Sequence, residues 1–350
     1  MHPRRFAPRR GPILQALGRR GTVVTIGNYD GVHLGHQAVL HTQKRLAARL
    51  SLPTVALCFE PQPREYFDPR SAPPRLARLR EKYLLLRDYG IDHFVCLRFG
   101  AGLAALTAED FVDRVLIEHL GARGLVVGDD FRFGEGRRGD YALLRTLGQA
   151  RGIEVVCVPA FERDGARVSS TRVREALARG DLSAASRLLG RPYAIFGRVV
   201  HGEKRGRTWG YATANIPLRR RSAALRGIFV ARVRGLGPRP LPAVAYVGPR
   251  PALAGTHELI EVHVFDFDAD LYGKALWVEF LHLLREDRTF DTLEALRAQI
   301  ARDVEHARRL WAQGSGIDGL GIEGLWTEGS GSPRSSVHAA GDHALGGCPP

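Results

Sequence analysis

The sequence predicts two domains of different fold class: an α/β domain built on a parallel sheet, and after it a small antiparallel β-barrel. Three observations support this prediction. The chain has 350 residues, more than one hydrophobic core usually serves. From residue 22 to about 160, β-rich runs alternate with helical patterns, as in parallel sheets covered on both faces. After about residue 190, strand patterns follow one another between Gly and Pro turns, as in small barrels.

The strands of the α/β region are predicted at residues 22–26, 54–59, 93–97, 124–128 and 153–159. Helical patterns occupy the connections at 37–50, 108–120 and 141–151. Thr107 and Asp110 form a capping signature at the start of the second of these helices.

The barrel strands are predicted at residues 191–200, 227–233, 243–247, 259–265 and 275–281. A closing helix is expected from Thr292 to about Trp311, because apolar residues recur there with a period near 3.6. They are Leu293, Leu296, Ile300 and Val304.

Composition changes set the expected boundaries. Residues 1–20 form a basic lead-in with six arginines and no acid, for which a transit peptide is the alternative. Residues 21–186 form the α/β domain and residues 187–312 the barrel domain with its helix. Residues 313–350 contain few large apolar groups and are expected to be a flexible Gly/Ser/Pro-rich tail.

The overall composition, 44% hydrophobic and 25% charged residues, is that of an ordinary globular protein. No apolar run approaches the roughly 20 residues that cross a bilayer, so no membrane span is expected. The net charge of +14 favours polyanionic partners, either nucleic acid or phosphorylated small molecules. The four cysteines lack metal-ligand spacing, and three lie in apolar strand-like runs, which indicates a cytoplasmic protein.

A glycine-rich turn with two histidines follows the first predicted strand. Gly27, Gly31 and Gly35 allow sharp turns and close approach of a ligand, and the next helix directs its N–H groups at the same place. His33 and His36 add two imidazole donors, which suits a phosphate whose charge rises in a transition state. A zinc pair or two helix-capping histidines are the alternatives.

Two further segments are candidates for the same site. Asp130 follows the fourth strand at its carboxyl end, where open α/β sheets bind ligands, although it could also only cap a helix. Ser170, Thr171 and Arg174 open a helix, and hydroxyls with a guanidinium at a helix N-terminus suit polyphosphate. Hydroxyls at such a position are also routine helix caps.

The barrel region has its own candidates. A basic loop contains Gly202, Lys204 and Gly206, and is either a phosphate cradle or a solvated turn. Thr213 and Asn215 supply oxygen ligands that suit Mg²⁺ bound together with nucleotide phosphates. Alternation in the strand at 259–265 places Glu261 and His263 on the face opposite Ile260, Val262 and Val264. Glu261 is then either a proton acceptor or a solvated surface carboxylate.

Four motifs, in this order, resemble those of the bacterial bifunctional riboflavin kinase/FMN adenylyltransferase (FAD synthetase) family: GNYDGVHLGH, VGDDFRFG, SSTRVREAL and EVHVFDFDADLYG. The resemblance covers roughly residues 15–310. It implies an α/β nucleotidyltransferase of the HxGH type, with a Rossmann-like parallel sheet, followed by a small β-barrel riboflavin kinase domain with a C-terminal helix. It also implies riboflavin, FMN and ATP as partners, with Mg²⁺ as cofactor.

The resemblance implies roles for individual residues. His33 and His36 would stabilise the α-phosphate of ATP, and Glu261 would take the proton of the riboflavin 5′-hydroxyl. The remaining residues would bind nucleotide, phosphate, flavin or Mg²⁺: Gly27, Asn28, Asp30, Gly31, Gly35 and Asp130 in the first motifs, Ser170, Thr171 and Arg174 at the departing pyrophosphate, Gly202, Lys204 and Gly206 in the basic loop, and Thr213 and Asn215 at the metal.

Three residues depart from the family pattern. Tyr29 stands where Phe is usual, Ala212 where Pro is usual, and Ala252 where Thr is usual. A proline would fix φ, so Ala212 is expected to loosen the Mg²⁺ site.

The expected function is therefore phosphorylation of riboflavin to FMN and then adenylylation of FMN to FAD and pyrophosphate. One alternative is an adenylyltransferase whose barrel binds flavin but does not phosphorylate it. An alternative of another class is an HxGH-type protein that binds tRNA or other nucleic acid. We expect neither nucleic acid nor a membrane as partner, and the sequence leaves a weak homo-oligomer open.

Overall fold

The computed structural model describes residues 17–201, 211–252 and 255–314. Within this part the chain divides into two compact units. The first unit consists of residues 17–73 and 82–168. The second consists of residues 74–81 and 169–314. The chain thus leaves the first unit after Pro73, contributes eight residues to the second unit, and returns at Lys82.

The first unit contains a parallel sheet with the order β3-β2-β1-β4-β5 among its described strands. These strands are β1 (Thr22–Ile26), β2 (Thr54–Glu60), β3 (His93–Arg98), β4 (Ala122–Gly128) and β5 (Glu154–Val158). A short hairpin follows, formed by β6 (Glu162–Arg163) and β7 (Ala166–Arg167).

Helices cover both faces of the sheet, as predicted. On one face, Val23, Leu46 and Val126 belong to a core under α1 (Leu34–Leu50). On the other face, Val24 and Leu125 pack with residues of the helix that starts at Ala108. The other helices of this region are α2 (Pro63–Phe67), α3 (Leu79–Asp88), α4 (Ala101–Ala104), α5 (Ala108–Asp110) and α6 (Tyr141–Ala150). Helix α5 continues in wider, π-type turns over Phe111–His119.

The strand order creates a switch point between β1 and β4, which pair directly through Thr25 and Val126. From β1 the chain builds outward through β2 to β3, and from β4 it builds the other way to β5. The connections therefore leave opposite faces, and a crevice opens at the carboxyl ends of β1 and β4. The motif loops that begin at Gly27 and Gly128 both start there.

The second unit begins with two helices, α7 (Ser170–Ala178) and α8 (Leu182–Leu189), and continues as an antiparallel sheet. Its described strands are ordered β8-β13-β10-β11-β12-β9. They are β8 (Tyr193–Arg198), β9 (Ala214–Pro217), β10 (Gly227–Arg234), β11 (Leu241–Ala252), β12 (Gly255–Val264) and β13 (Ala275–Arg285). The Val200 N–H donates to the Asn215 carbonyl oxygen at 2.9 Å, so the sheet nearly closes into a barrel.

The barrel has an apolar interior and one covered outer face. Phe229, Ile260 and Phe280 are completely buried inside. On the outer face, Val230 packs with Val304 of the closing helix α9 (Leu293–Ala312). This helix begins within one residue of its predicted start, but Leu293 is 51% exposed and does not join the packed face.

A buried ion pair fastens residues 74–81 into the second unit. Arg220 donates to both carboxylate oxygens of Glu81, at 2.6 and 2.7 Å, and both side chains are only 1% exposed. Glu81 also accepts from the backbone N–H of Arg78, which caps the first turn of α3, and from that of Phe196 on β8. Burial alone would lower the pKa of Arg220, but Tyr193 and Glu81 raise it above its usual value.

The predicted division at residue 186 remains a prediction, while the contacts within the structure group α7 and α8 with the barrel. Thr107 caps its helix as predicted, accepting from the Asp110 N–H at 3.1 Å. β9 and the helix α3 had not been predicted. Among the described residues, no helix is both long and apolar enough to cross a membrane.

Replacing Glu81 by Ala should lower the free energy of unfolding by about 3–5 kcal/mol, because it leaves the Arg220 charge buried without its partner. Urea unfolding followed by circular dichroism measures this change. The matched control is Glu305→Ala, which removes the partner of Arg309 in an exposed pair on α9 and should change stability little.

The double variant Glu81→Met, Arg220→Met should recover part of the lost stability, because neither charge of this pair is then buried without its partner. Equal unfolding midpoints for Glu81→Ala and Glu305→Ala would contradict the structural importance of the buried pair.

Candidate active sites

The loop after β1 has a backbone conformation that is rare outside glycine. Gly31 has φ of 84°, but Tyr29 and Val32 also have positive φ, 47° and 44°. For a β-branched residue such as Val32 this conformation is strained, and such strain is concentrated at functional sites. Gln37 on α1 donates to the Val32 carbonyl oxygen at 2.9 Å and so holds the loop to the helix.

The ring of Tyr29 packs beneath the backbone of this loop, against Gly27. Its hydroxyl donates to Oγ1 of Thr25 at 3.0 Å, and the side chain is fully buried. Burial raises the pKa of the phenol above its usual range. A Cβ on Gly27 would lie only 3.2 Å from the Tyr29 ring, so the absence of a side chain at Gly27 lets the ring pack there. The extra hydroxyl relative to the family's usual Phe is therefore satisfied.

His33 and His36 lie together at the N-terminus of α1. Their rings are stacked, with 3.7 Å between centroids and 17° between planes. His33 is the N-cap residue, and its Nδ1 accepts from the His36 N–H at 3.4 Å. In the neutral ring the proton is then on Nε2, where it can be donated to a ligand. A Cβ on Gly35 would lie 3.2 Å from the His33 ring, which explains the small residue between the histidines.

The loop after β4 carries two adjacent carboxylates. Asp129 accepts from the Ala160 N–H at 3.1 Å, whereas Asp130 is a largely exposed side chain. Arg167 makes ion pairs with both, at 2.9 Å to Asp129 and 2.8 Å to Asp130. Asp130 was predicted as a site residue from the sequence, and Arg167 was not. The signal that was available is the Asp-Gly turn at 164–165, which is typical of a tight hairpin.

The predicted helix at Ser170 is α7, in the second unit. Its cap is Ser169, whose hydroxyl accepts from the Arg172 N–H at 3.3 Å. The N-cap of α7 is therefore Ser169, and neither Ser170 nor Thr171 is the capping residue that the alternative interpretation expected. The Nε of Arg174 donates to the Pro74 carbonyl oxygen at 2.6 Å, a contact that sequence reasoning could not have foreseen.

A cavity of about 390 Å³ lies in the second unit, with walls from the outer face of the barrel and from α9. Glu261 and His263 line it, while Ile260, Val262 and Val264 are buried on the other face of β12, as alternation predicted. The residues along the rest of the lining are Tyr211, Thr213, Ile228, Val244, Tyr246, Arg285, Asp287, Arg288, Phe290, Leu296, Ile300, Asp303 and Val304.

Strand register places one row of side chains across the barrel. Asn215 pairs with Glu261, and Glu261 pairs with Tyr246 on the next strand. Tyr246 in turn pairs with Ile228, and Ile228 pairs with Arg285. Directly paired residues of antiparallel strands lie on the same face, about 5 Å apart. The carboxylate of Glu261 is therefore flanked by an amide and a phenol, and its side chain is half-buried.

Charged contacts hold the connection from β13 to α9 at the edge of the cavity. The hydroxyl of Tyr246 donates to the carboxylate of Asp287 at 2.8 Å. The pKa of this phenol is raised, mainly by burial and also by the hydrogen bond to Asp287. Arg285 makes a bidentate pair with Asp303 on α9, with a shortest distance of 2.8 Å. Phe290 packs under the guanidinium of Arg288, 4.9 Å from the ring centroid. These residues were not predicted, because the cavity wall formed by α9 is a long-range feature.

The region around the predicted metal ligands is organised by His263. Its Nδ1 donates to the carbonyl oxygen of Ala212 at 2.9 Å, and its ring meets that of Tyr211 edge to face, 5.5 Å between centroids. The loosening expected from Ala212 is thus opposed by a hydrogen bond to the same residue. Asn215 has a buried Oδ1 without a hydrogen-bond partner among the described residues.

Gly202, Lys204 and Gly206 lie outside the described residues, and so does the side chain of Ala252.

Comparisons with known proteins assign a class to each half of the chain. The FAD synthetase family matches residues 16–172, and the riboflavin kinase family matches residues 189–311. The chain thus combines an α/β domain of the nucleotidyltransferase type with a kinase-type barrel.

Similar full-length proteins carry both halves. A bifunctional riboflavin kinase/FMN adenylyltransferase of Escherichia coli K12 is 46% identical over 298 residues, which cover 85% of this chain and 95% of that protein. One from Pseudomonas fluorescens is 47% identical over 84% of this chain and 94% of its own length. The chain belongs to the bifunctional riboflavin kinase/FMN adenylyltransferase family.

A solved structure from Streptococcus pneumoniae, described as a macrolide-efflux protein, has the same architecture. Its TM-score is 0.69 at 32% identity, and the match covers 82% of this chain and 94% of that one.

Proposed function

We propose that this protein phosphorylates riboflavin to FMN at the barrel cavity and adenylylates FMN to FAD at the crevice of the α/β unit, using ATP in both reactions. The proposal is supported by family membership over both halves of the chain. The structural observation that carries it is the stacked His33–His36 pair at the switch point of a parallel sheet.

In adenylyl transfer, a phosphate oxygen of FMN attacks the α-phosphorus of ATP, and pyrophosphate departs. The charge on the α-phosphate oxygens rises in the transition state. His33 and His36 are proposed to donate to these oxygens, supported by the N-terminal N–H groups of α1. Asn28 and Asp130 are proposed to line the nucleotide and flavin site, and Gly27, Asp30, Gly31 and Gly35 the phosphate loop.

Ser170, Thr171 and Arg174 are proposed to hold the departing pyrophosphate. Their hydroxyls and the guanidinium fork suit a polyphosphate at a helix N-terminus.

An aromatic surface on the first unit suits the flavin ring. Tyr66, Phe67 and Phe99 make edge-to-face contacts 5.3–5.6 Å apart, and Phe67 is 68% exposed. They lie just beyond the carboxyl ends of β2 and β3, at the sheet edge to which β1 also leads. Exposed aromatic clusters mark binding sites, and these rings offer a flat apolar surface to a planar heterocycle.

In phosphoryl transfer, the Glu261 carboxylate is proposed to orient the riboflavin 5′-hydroxyl and to accept its proton as the bond to phosphorus forms. Such reactions depend mainly on positioning and little on covalent help from the protein. The apolar part of the cavity lining suits the isoalloxazine ring.

Thr213 and Asn215 are proposed to hold Mg²⁺ with the phosphates of ATP. The buried Oδ1 of Asn215, which has no hydrogen-bond partner within the described part of the chain, fits this role. Amide oxygens are suitable Mg²⁺ ligands, and an unpaired buried oxygen is costly. The bound ion would neutralise charge on the transferred phosphoryl group. Gly202, Lys204 and Gly206 remain predicted phosphate ligands.

A cytoplasmic location is proposed as well, as the sequence predicts.

The test is to incubate pure protein with riboflavin, ATP and MgCl₂ and to separate the flavins by chromatography. FMN and then FAD should appear, and omission of MgCl₂ should stop FMN formation. If FAD forms from supplied FMN but no FMN forms from riboflavin, the protein is an adenylyltransferase with an inactive barrel. If neither flavin forms, the proposal is wrong.

Replacing His33 or His36 by Ala should reduce FAD formation from FMN by roughly 10²–10³-fold, because each change removes a transition-state donor. Riboflavin phosphorylation in the same preparations should stay near the wild-type rate. Steady-state assays of both reactions measure this split. Equal loss of both activities in a folded variant would contradict the assignment of the histidines to adenylyl transfer.

Glu261→Gln should nearly abolish FMN formation, because the amide cannot accept the hydroxyl proton. Riboflavin binding, measured by fluorescence quenching, and FAD formation from FMN should both persist. His263→Gln is the matched control on the same face of β12, and it should retain far more kinase activity than Glu261→Gln. A fully active Glu261→Gln variant would exclude this carboxylate as the base.

A further inference from the structure

Arg220 of the barrel unit makes an unusual number of contacts to a segment distant in sequence, Pro74–Glu81. Besides its pair with Glu81, it donates to the carbonyl oxygens of Arg75, at 3.0 Å, and Leu76, at 3.2 Å. It also donates to the hydroxyl of Tyr193 at 2.9 Å, and that hydroxyl donates to the Leu76 carbonyl oxygen at 3.1 Å. One guanidinium therefore fixes both ends of the segment.

The peptide groups that Arg220 holds are next to Pro74, whose carbonyl oxygen accepts from Nε of Arg174 at 2.6 Å. Each residue has only two soft backbone torsions, so fixing the Arg75 and Leu76 carbonyls restricts where the Pro74 carbonyl can point. A hydrogen bond from Nε also sets the plane of the Arg174 guanidinium, and with it the direction of the remaining N–H groups.

We propose that Arg220 is a positioning residue for FMN adenylylation. It acts through residues 74–76 to orient Arg174, so a residue of the kinase-type barrel supports the other reaction of the enzyme. This inference rests on the proposed role of Arg174 at the pyrophosphate. Arg220 does not line the barrel cavity, so its effect on riboflavin phosphorylation should be small.

Arg220→Lys is the first test, because lysine keeps the positive charge but cannot span a carboxylate, a phenol and two carbonyls at once. A displacement of about 1 Å in a positioned group costs up to about 10²-fold in rate. We expect kcat/KM for ATP in FMN adenylylation to fall at least about tenfold. Riboflavin phosphorylation should stay within about twofold, which also reports that the barrel is folded.

The matched control is Arg232→Lys, which alters another arginine of the second unit, one that is paired with Glu279 on β13. It should leave both activities near wild type. A second test variant, Glu81→Met with Arg220→Met, leaves neither charge of this pair without its partner and should lose adenylylation at least as much as Arg220→Lys.

A double-mutant cycle separates positioning from general damage. In an Arg174→Ala background, Arg220→Lys should cause little further loss of adenylylation, because the residue through which it acts is already absent. Additive losses, unchanged adenylylation in Arg220→Lys, or equal loss of both activities would each overturn the inference. The wild-type assay tests the proposed function separately. If the wild-type protein forms no FAD from FMN, the proposed function is wrong, whereas a defect confined to the variants concerns only Arg220.

Discussion

Hydrogen bonding between neighbouring strands is the interaction on which both candidate sites depend. The parallel pairing of β1 with β4 brings two motif loops to one edge of the sheet although about 100 residues separate them. In the barrel, antiparallel register places Asn215, Glu261 and Tyr246 in one row. Neither arrangement requires direct contact between the motifs. The backbone ladder supplies the geometry, and the side chains at its edge or on its outer face supply the chemistry.

The sequence predicted local patterns well and long-range contacts poorly. The bounds of β1 followed from a run of β-branched residues, and the outward face of Glu261 followed from alternation. Both signals depend only on neighbouring residues. By contrast, Arg220 stands in a run of three arginines without any periodic signal, and its role appears only when residues 75–81 are beside it. β9 was missed because four residues around a metal-type motif do not form a recognisable strand pattern.

The departures from the family pattern are matched by local contacts. The hydroxyl that distinguishes Tyr29 from Phe has Thr25 as its partner. Ala212 lacks the rigidity of proline, but its carbonyl oxygen accepts a hydrogen bond from His263. The bond from Tyr29 is one that the substitution adds, and it is typically worth about 1 kcal/mol. The Ala212 carbonyl would be present with proline as well, so its bond restrains the loop whichever residue stands there. A single altered motif residue is therefore weak grounds for assigning loss of activity.

The excursion of residues 74–81 has a consequence for biosynthesis. Glu81 is 139 residues ahead of Arg220 in the chain. At a ribosomal rate of about 5–20 residues per second, roughly 7–28 seconds pass between the emergence of the two. During that interval the first turn of α3 bears a carboxylate destined for burial whose counterion has not been synthesised. Residues 74–81 must therefore stay solvated while the α/β unit is synthesised. Co-translational folding of the chain is completed only after the barrel sequence has left the ribosome.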